Sequence, residues 1–118
     1  MAAHYDDQEK YDLAEPLYKR ALEVIQKVPE HPDRAYILTG LAAHYYDEER
    51  YTEAEPLFKR ALVIAQESQG ADGPLVAIIA ERLALTLRQL GRHGEAIAYE
   101  NQAALIRARQ ELKKYVKP

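Results

Sequence analysis

The chain repeats itself. Residues 2–27 and 42–67 align at an offset of 40 with 16 of 26 positions identical. A third, more worn copy is found by setting 83–109 against 41–67 at an offset of 42. It matches at Leu83, Ala84, Arg92, Glu95, Ala96, Ala103 and Ile106. A repeat of about 34–47 residues is the signature of helix pairs stacked into an array. Each pair covers its apolar face only with its neighbours, so the array presents an extended surface, and such surfaces suit the binding of other proteins.

Apolar spacing predicts five helices, over roughly 12–28, 33–48, 52–68, 74–90 and 94–115, from residues recurring at three and four positions. Residues 1–8 read as the stub of a further helix. Nothing alternates in the manner of a strand. Thr52-Glu53-Ala54-Glu55 predicts a capping box, repeated as Asp12-Leu13-Ala14-Glu15. Pro32 and Pro74 fall near helix starts, where a missing N–H costs little, and Pro16 and Pro56 fall near the end of a first turn. Gly91 follows the fourth helix, where a left-handed residue would end it. Ala14, Ala54 and Ala96, with Ala21, Ala61 and Ala103 one face over, fall where helices of a hairpin approach closely. An axis separation of about 8–10 Å needs small side chains there.

The 118 residues suffice for one domain. It divides into a truncated first repeat (1–28), a second (33–68) and a degenerate third (74–115) ending in a long charged helix. As a terminal cap that helix is expected to show water a soluble outer face. The composition is ordinary for a globular chain, 47% hydrophobic and 30% charged, with a net charge of −3 and no basic stripe. Nucleic acid is therefore not an expected partner. No apolar run reaches the roughly 18 residues of a membrane span, and no signal peptide is evident, which makes a cytoplasmic location the default. The absence of cysteine removes disulfide and thiolate chemistry.

Chemistry finds little support. His4 and His44 share a repeat position, and helices at about 8–10 Å hold such residues too far apart for one metal ion. Both read as packing histidines inherited with the repeat. His31 and His93 have no partner at i+4. Asp6-Asp7 and Glu48-Glu49 are sequence neighbours that diverge around a helix. No phosphate loop or nucleophile elbow is present. No cofactor, no metal and no enzymatic activity are expected.

Leu41-Ala42, Tyr45, Tyr51, Ala54, Phe58 and Ala61 give the chain the pattern of small and aromatic residues that resembles the tetratricopeptide repeat (TPR) family. The segments KYDLAEPLYKRAL (10–22) and RYTEAEPLFKRAL (50–62), with the linkers PEHPDRA (29–35) and GADGPLVA (70–77), resemble its kinesin-light-chain-like branch. Repeats of that branch run to roughly 42 residues against about 34 for the common form. The resemblance covers nearly the whole chain and implies an all-α, right-handed solenoid of antiparallel helix pairs, of two and a half to three repeats. It implies a role in binding a protein or peptide in a concave groove lined by the first helix of each repeat. On this chain the groove positions are Tyr36, Thr39, Ala43, Tyr46 and Asp47 of the second helix and Ile78, Glu81, Leu85, Arg88 and Gln89 of the fourth. Asp6 and Asp7 extend the line. Tyr46 and Arg88 are the expected anchors, the arginine as a fork for a carboxylate.

Two departures from the branch stand out. Its paired asparagines, which clamp a bound peptide backbone, are replaced by Thr39-Gly40 and Glu81-Arg82. The third repeat has His93 and Glu100 where the second has Tyr51 and Phe58, which predicts looser packing or a polar edge there. The first repeat also lacks most of its first helix, as a fragment of a longer array would. Leu17, Tyr18 and Leu22 are thereby expected to lie uncovered and to offer a face for self-association, as a homodimer or a swapped helix.

Overall fold

The structure is a computed structural model that describes residues 15–24, 26–28 and 33–116. Asp6, Asp7, His4, His31, Pro32, Ala14 and the Asp12 cap lie outside the described residues. Helix α1 comprises residues 15–24 and 26–27. It is followed by α2 (Arg34–Asp47), α3 (Tyr51–Gln69), α4 (Pro74–Gln89) and α5 (His93–Lys113). No strand occurs among the described residues. Each helix packs on the next from α2 to α5, and α2 also touches α4. This is the contact pattern of stacked hairpins, in which α2 and α4 are the first helices of their repeats and α3 and α5 the second.

Alanine sets the spacing. Ala54, Ala61, Ala65 and Ala96 are wholly buried, and Ala103 nearly so. Phe58, Leu38, Ile79, Leu83, Leu87 and Ile106 fill the volume between the helices. Side chains no larger than a methyl let the helix axes come close, and the larger residues interdigitate on either side. Pro56 lies within α3, beyond its first turn. Pro74 opens α4, where the Leu75 N–H is met by Gln69 Oε1 at 3.3 Å.

The capping box is not formed. Helix α3 begins at Tyr51 with Arg50 as its N-cap, and no side chain caps it. Thr52 is thus already inside the helix. Glu55 turns away from the helix start to bond Lys59 and Arg92. The competing interaction is a fixed turn. The Arg50 N–H bonds the Tyr45 carbonyl at 2.8 Å, and the Arg92 N–H bonds the Leu87 carbonyl at the same distance. In both turns the residue before the arginine is left-handed, Gly91 at φ 77° and Glu49 at φ 64°. The turn, not a hydroxyl, decides where each second helix begins.

Two substitutions test this description. Ala54→Leu should destabilise the fold by about 1–3 kcal/mol through overpacking, and an unchanged melting temperature would refute the hairpin register. Glu49→Gly relieves a left-handed non-glycine residue, whose strain of about 1–2 kcal/mol is partly offset by the greater freedom of glycine when unfolded. Denaturant titration should show a gain of about 0.5–1 kcal/mol. A loss would mean that the Glu49 side chain matters more than its backbone.

Candidate functional site

The groove positions divide sharply. Tyr36, Asp47, Ile78, Leu85 and Gln89 are exposed, while Thr39, Ala43, Tyr46, Glu81 and Arg88 are partly buried. Several are already occupied within the chain. The Thr39 hydroxyl donates to the Ala35 carbonyl at 2.7 Å. Glu81 is paired with Arg107 of α5. Arg88 grips Glu100 with both prongs of its guanidinium, at 2.6 Å each, and reaches His93 Nδ1 at 3.2 Å. His93 and Glu100 therefore do form a polar edge, and they form it by filling the fork that sequence reasoning reserved for a partner's carboxylate.

Other residues come together between α2 and α4. Tyr46, Phe58, Arg82 and Leu85 line a small cleft. The Tyr46 ring is held edge-on by Tyr51, with centroids 5.1 Å apart. Leu85 of the cleft is 50% exposed, and Tyr36 and Ile78, farther along α2 and α4, are 57% and 42% exposed. The Arg82 guanidinium is exposed and makes no ion pair or hydrogen bond with the described residues. Sequence reasoning noted Arg82 only as a missing asparagine; that substitution was the signal for a free cation in the groove.

The other half of the lost asparagine pair has a steric cause. A Cβ on Gly40 would come within 2.8 Å of Tyr18 Cε1. The Tyr18 ring thus occupies the space that a side chain at position 40 would need. Tyr18 and Leu22 are packed against the core, contrary to the expectation that they lie uncovered. Leu17 is 70% exposed, and with Tyr18, Ala21 and Ile37 it lines an apolar cleft at the N-terminal end.

An ion-pair ladder runs along the second helices. Glu15 accepts from Lys19 at 3.1 Å and from Arg50 at 2.7 Å, and Arg50 also holds Glu53. One repeat on, Glu55 accepts from Lys59 at 2.8 Å and from Arg92 at 2.6 Å, and Arg92 also holds Glu95. The eight residues are the same four positions taken twice, so each rung joins one repeat to the next.

The ladder moves the pKa values of its acids. The Lys19 bond most, then the His44 and Arg50 bonds, hold the Glu15 carboxyl from its ordinary 4.5 down to about 2, against the opposing effect of burial. At Glu55 burial is the largest single influence and opposes ionisation. The bonds from Lys59 and Arg92 together outweigh it and keep the group below the usual carboxylate range. Glu53 and Glu95 are lowered by the bonds from Arg50 and Arg92.

His44 joins the first rung. It is buried, with Nε2 2.9 Å from Glu48 and 3.3 Å from Glu15. Its ring packs on those of Tyr18 and Tyr45, with centroids 6.1 and 5.6 Å away. Ligand atoms of Glu15, His44 and Glu48 lie within 4.8 Å of one another, a spacing that would suit a metal ion. The Arg50 guanidinium, within 2.7 Å of Glu15 and 3.4 Å of Glu48, already supplies the positive charge there. His44 is buried and packs against two aromatic rings, the packing role that its repeat position predicts.

A tetratricopeptide repeat model matches residues 1–62 and again 33–108. The chain belongs to the tetratricopeptide repeat family. Among solved structures it resembles the nearly identical TPR-like repeats of a Podosopora anserina protein designated a kinesin light chain. The TM-score is 0.72 at 22% identity, over 92% of this chain and 53% of that one. A single-substitution variant of the same protein gives 0.73 at 22% identity, over 93% and 53%. The TPR chain thus spans about half the length of these structures and shares their fold. No curated protein matches it significantly. Tetratricopeptide repeats in general are non-catalytic scaffolds that mediate protein–protein interaction. No helix among the described residues is long and apolar enough to cross a membrane.

Acid should weaken the ladder of this TPR domain. A carboxylate bonded to cations when folded takes up protons more readily when unfolded, so its contribution is complete above its unfolded pKa and lost as pH falls through its folded value. For Glu15 the window runs from about 4.5 down to about 2. Thermal melts should show a plateau above about pH 5 and a progressive fall below it, and Glu15→Gln should reduce the slope. Equal melting temperatures at pH 7 and pH 3 would show that the ladder contributes nothing.

Proposed function

We propose that this TPR chain is a protein-interaction module that takes a peptide or helix from a partner protein along the groove formed by α2 and α4. The supporting observation is the cleft in which the apolar side chains of Tyr46, Phe58 and Leu85 meet the unengaged Arg82 guanidinium, with Tyr36 and Ile78 exposed farther along the same two helices. Aromatic and arginine side chains in a cleft are the usual anchors of binding energy. Arg82 gives a partner's carboxylate a forked donor at the edge of an apolar surface. Arg88 serves in this reading as a positioning residue, holding α4 to α5 through Glu100.

A second reading, assembly through the ends of the array, draws at the N-terminal end on the cleft lined by Leu17, Tyr18, Ala21 and Ile37. It is the weaker reading at that end, because Tyr18 and Leu22 are partly buried against the core.

A binding experiment separates the two. Partners captured from a lysate of the source organism by the wild-type chain should be bound at least about 10-fold more weakly by Tyr46→Ala/Arg82→Ala, as expected when anchor residues are truncated. Leu17→Glu should bind them normally. Equal capture by wild type and the double variant would sink the groove reading. Loss of capture with Leu17→Glu alone would transfer the function to the N-terminal end.

A further inference from the structure

Helix α5 is apolar on two opposite faces. Its inner face, with Ala96, Ala103 and Ile106, is buried against the rest of the fold. The opposite face carries Ile97, Asn101, Ala104, Leu105, Ala108 and Leu112, all exposed. At about 100° per residue these six fall within one stripe, centred nearly half a turn from the buried face. Leu105 and Leu112 are 51% and 62% exposed. A capping helix should show water a polar face there, so the expectation of a soluble outer face is not met.

The repeat alignment says what this stripe replaces. At the offset of 42, Ile97 and Asn101 correspond to Glu55 and Lys59 of α3. On α3 those residues are the rung that receives Arg92 from the following repeat. On α5 the carboxylate and its lysine are both gone. A further repeat of the same kind, bringing an arginine in that position, would find an isoleucine and no acceptor. The face has exchanged the charge complementarity that joins one repeat to the next for an apolar surface.

We infer that this face pairs with α5 of a second copy of the chain, antiparallel, about a two-fold axis. The stripe is self-complementary in shape. Within it Asn101, Leu105, Ala108 and Leu112 follow one another at steps of four, three and four, the spacing of a helix-pairing seam. Small residues alternate with leucine, so a reversed copy that sets Leu105 against Ala108 also sets Leu112 against Asn101. In that register Arg109 falls opposite Ala104 and Glu111 opposite Gln102, and no like charges oppose one another. Arg109 and Arg107 are moreover held within their own chain by Asp72 and Glu81. A two-fold contact closes on itself and yields a dimer, where a head-to-tail contact would yield an open filament. The inference does not depend on the groove reading, because none of its residues lines the groove.

The test is the mass of the full chain by light scattering and sedimentation across a concentration series from about 1 to 300 µM, a range chosen around the typical affinities of modest interfaces. Wild type and Leu17→Glu should approach twice the chain mass. Leu105→Glu/Leu112→Glu, and separately Ala108→Arg, should remain at one chain mass throughout, with helical circular dichroism and melting like those of the monomeric wild type at low concentration. Ala108 is exposed and arginine is a good helix former, so this variant blocks close approach without disturbing the fold. A wild type that stays monomeric overturns the inference. So does a dimer that survives both α5 variants, a dimer lost in Leu17→Glu, or growth beyond two chains.

Discussion

The whole arrangement depends on how closely one helix can approach the next. Buried alanines at 54, 61, 65, 96 and 103 hold that distance. They leave no room for a larger side chain. Close-packed interiors transmit such constraints because a misfit at one contact displaces the neighbouring elements. With the helix separation fixed, α2 and α4 stand side by side as first helices, and the groove between them has its width. The same spacing brings Glu15 to Arg50 and Glu55 to Arg92, across sequence separations of 35 and 37 residues.

The ion pairs act on register. Exposed pairs of this kind are individually worth little, roughly 0–1 kcal/mol. Their strength here lies in being linked: Glu15 and Glu55 each meet a lysine and an arginine, and each arginine meets at least two carboxylates. The turn that presents the arginine is equally fixed, by one backbone bond and one left-handed residue. An arginine so placed can accept a repeat only if a glutamate stands opposite. This is why the loss of that glutamate at Ile97 changes the character of the α5 face and favours a different kind of neighbour.

Among the described residues, the order of the helices and the bounds of α2 to α5 were legible to within a residue or two, because apolar periodicity, repeat length and the Pro74 and Gly91 signals all agree. The alanine contacts were legible for the same reason. The start of α3 was misread. Thr52 and Glu55 have the spacing of a capping box, but a turn set by Arg50 and an ion pair to Arg92 compete for the same groups. Arg88 was misread as free because its partner Glu100 lies 12 residues away, and only the angle of α5 against α4 brings the two together. Arg82 was left over by the same geometry. Tyr18 was expected at an open surface, yet Gly40 gives its ring a seat on α2.

What the sequence determined by itself is the object: an all-α array, its helices, its small-residue contacts and its membership of a family of repeats. These follow from patterns within one helix or one repeat period, and such patterns are local. What only the tertiary structure decided is which polar and apolar groups are spent and which are left to spare. Arg88 is spent on Glu100 and Arg82 is spare. Tyr18 is spent on Gly40 and Leu105 is spare. Whether a side chain is available depends on what other segments bring to it, and that is fixed only when the helices have packed.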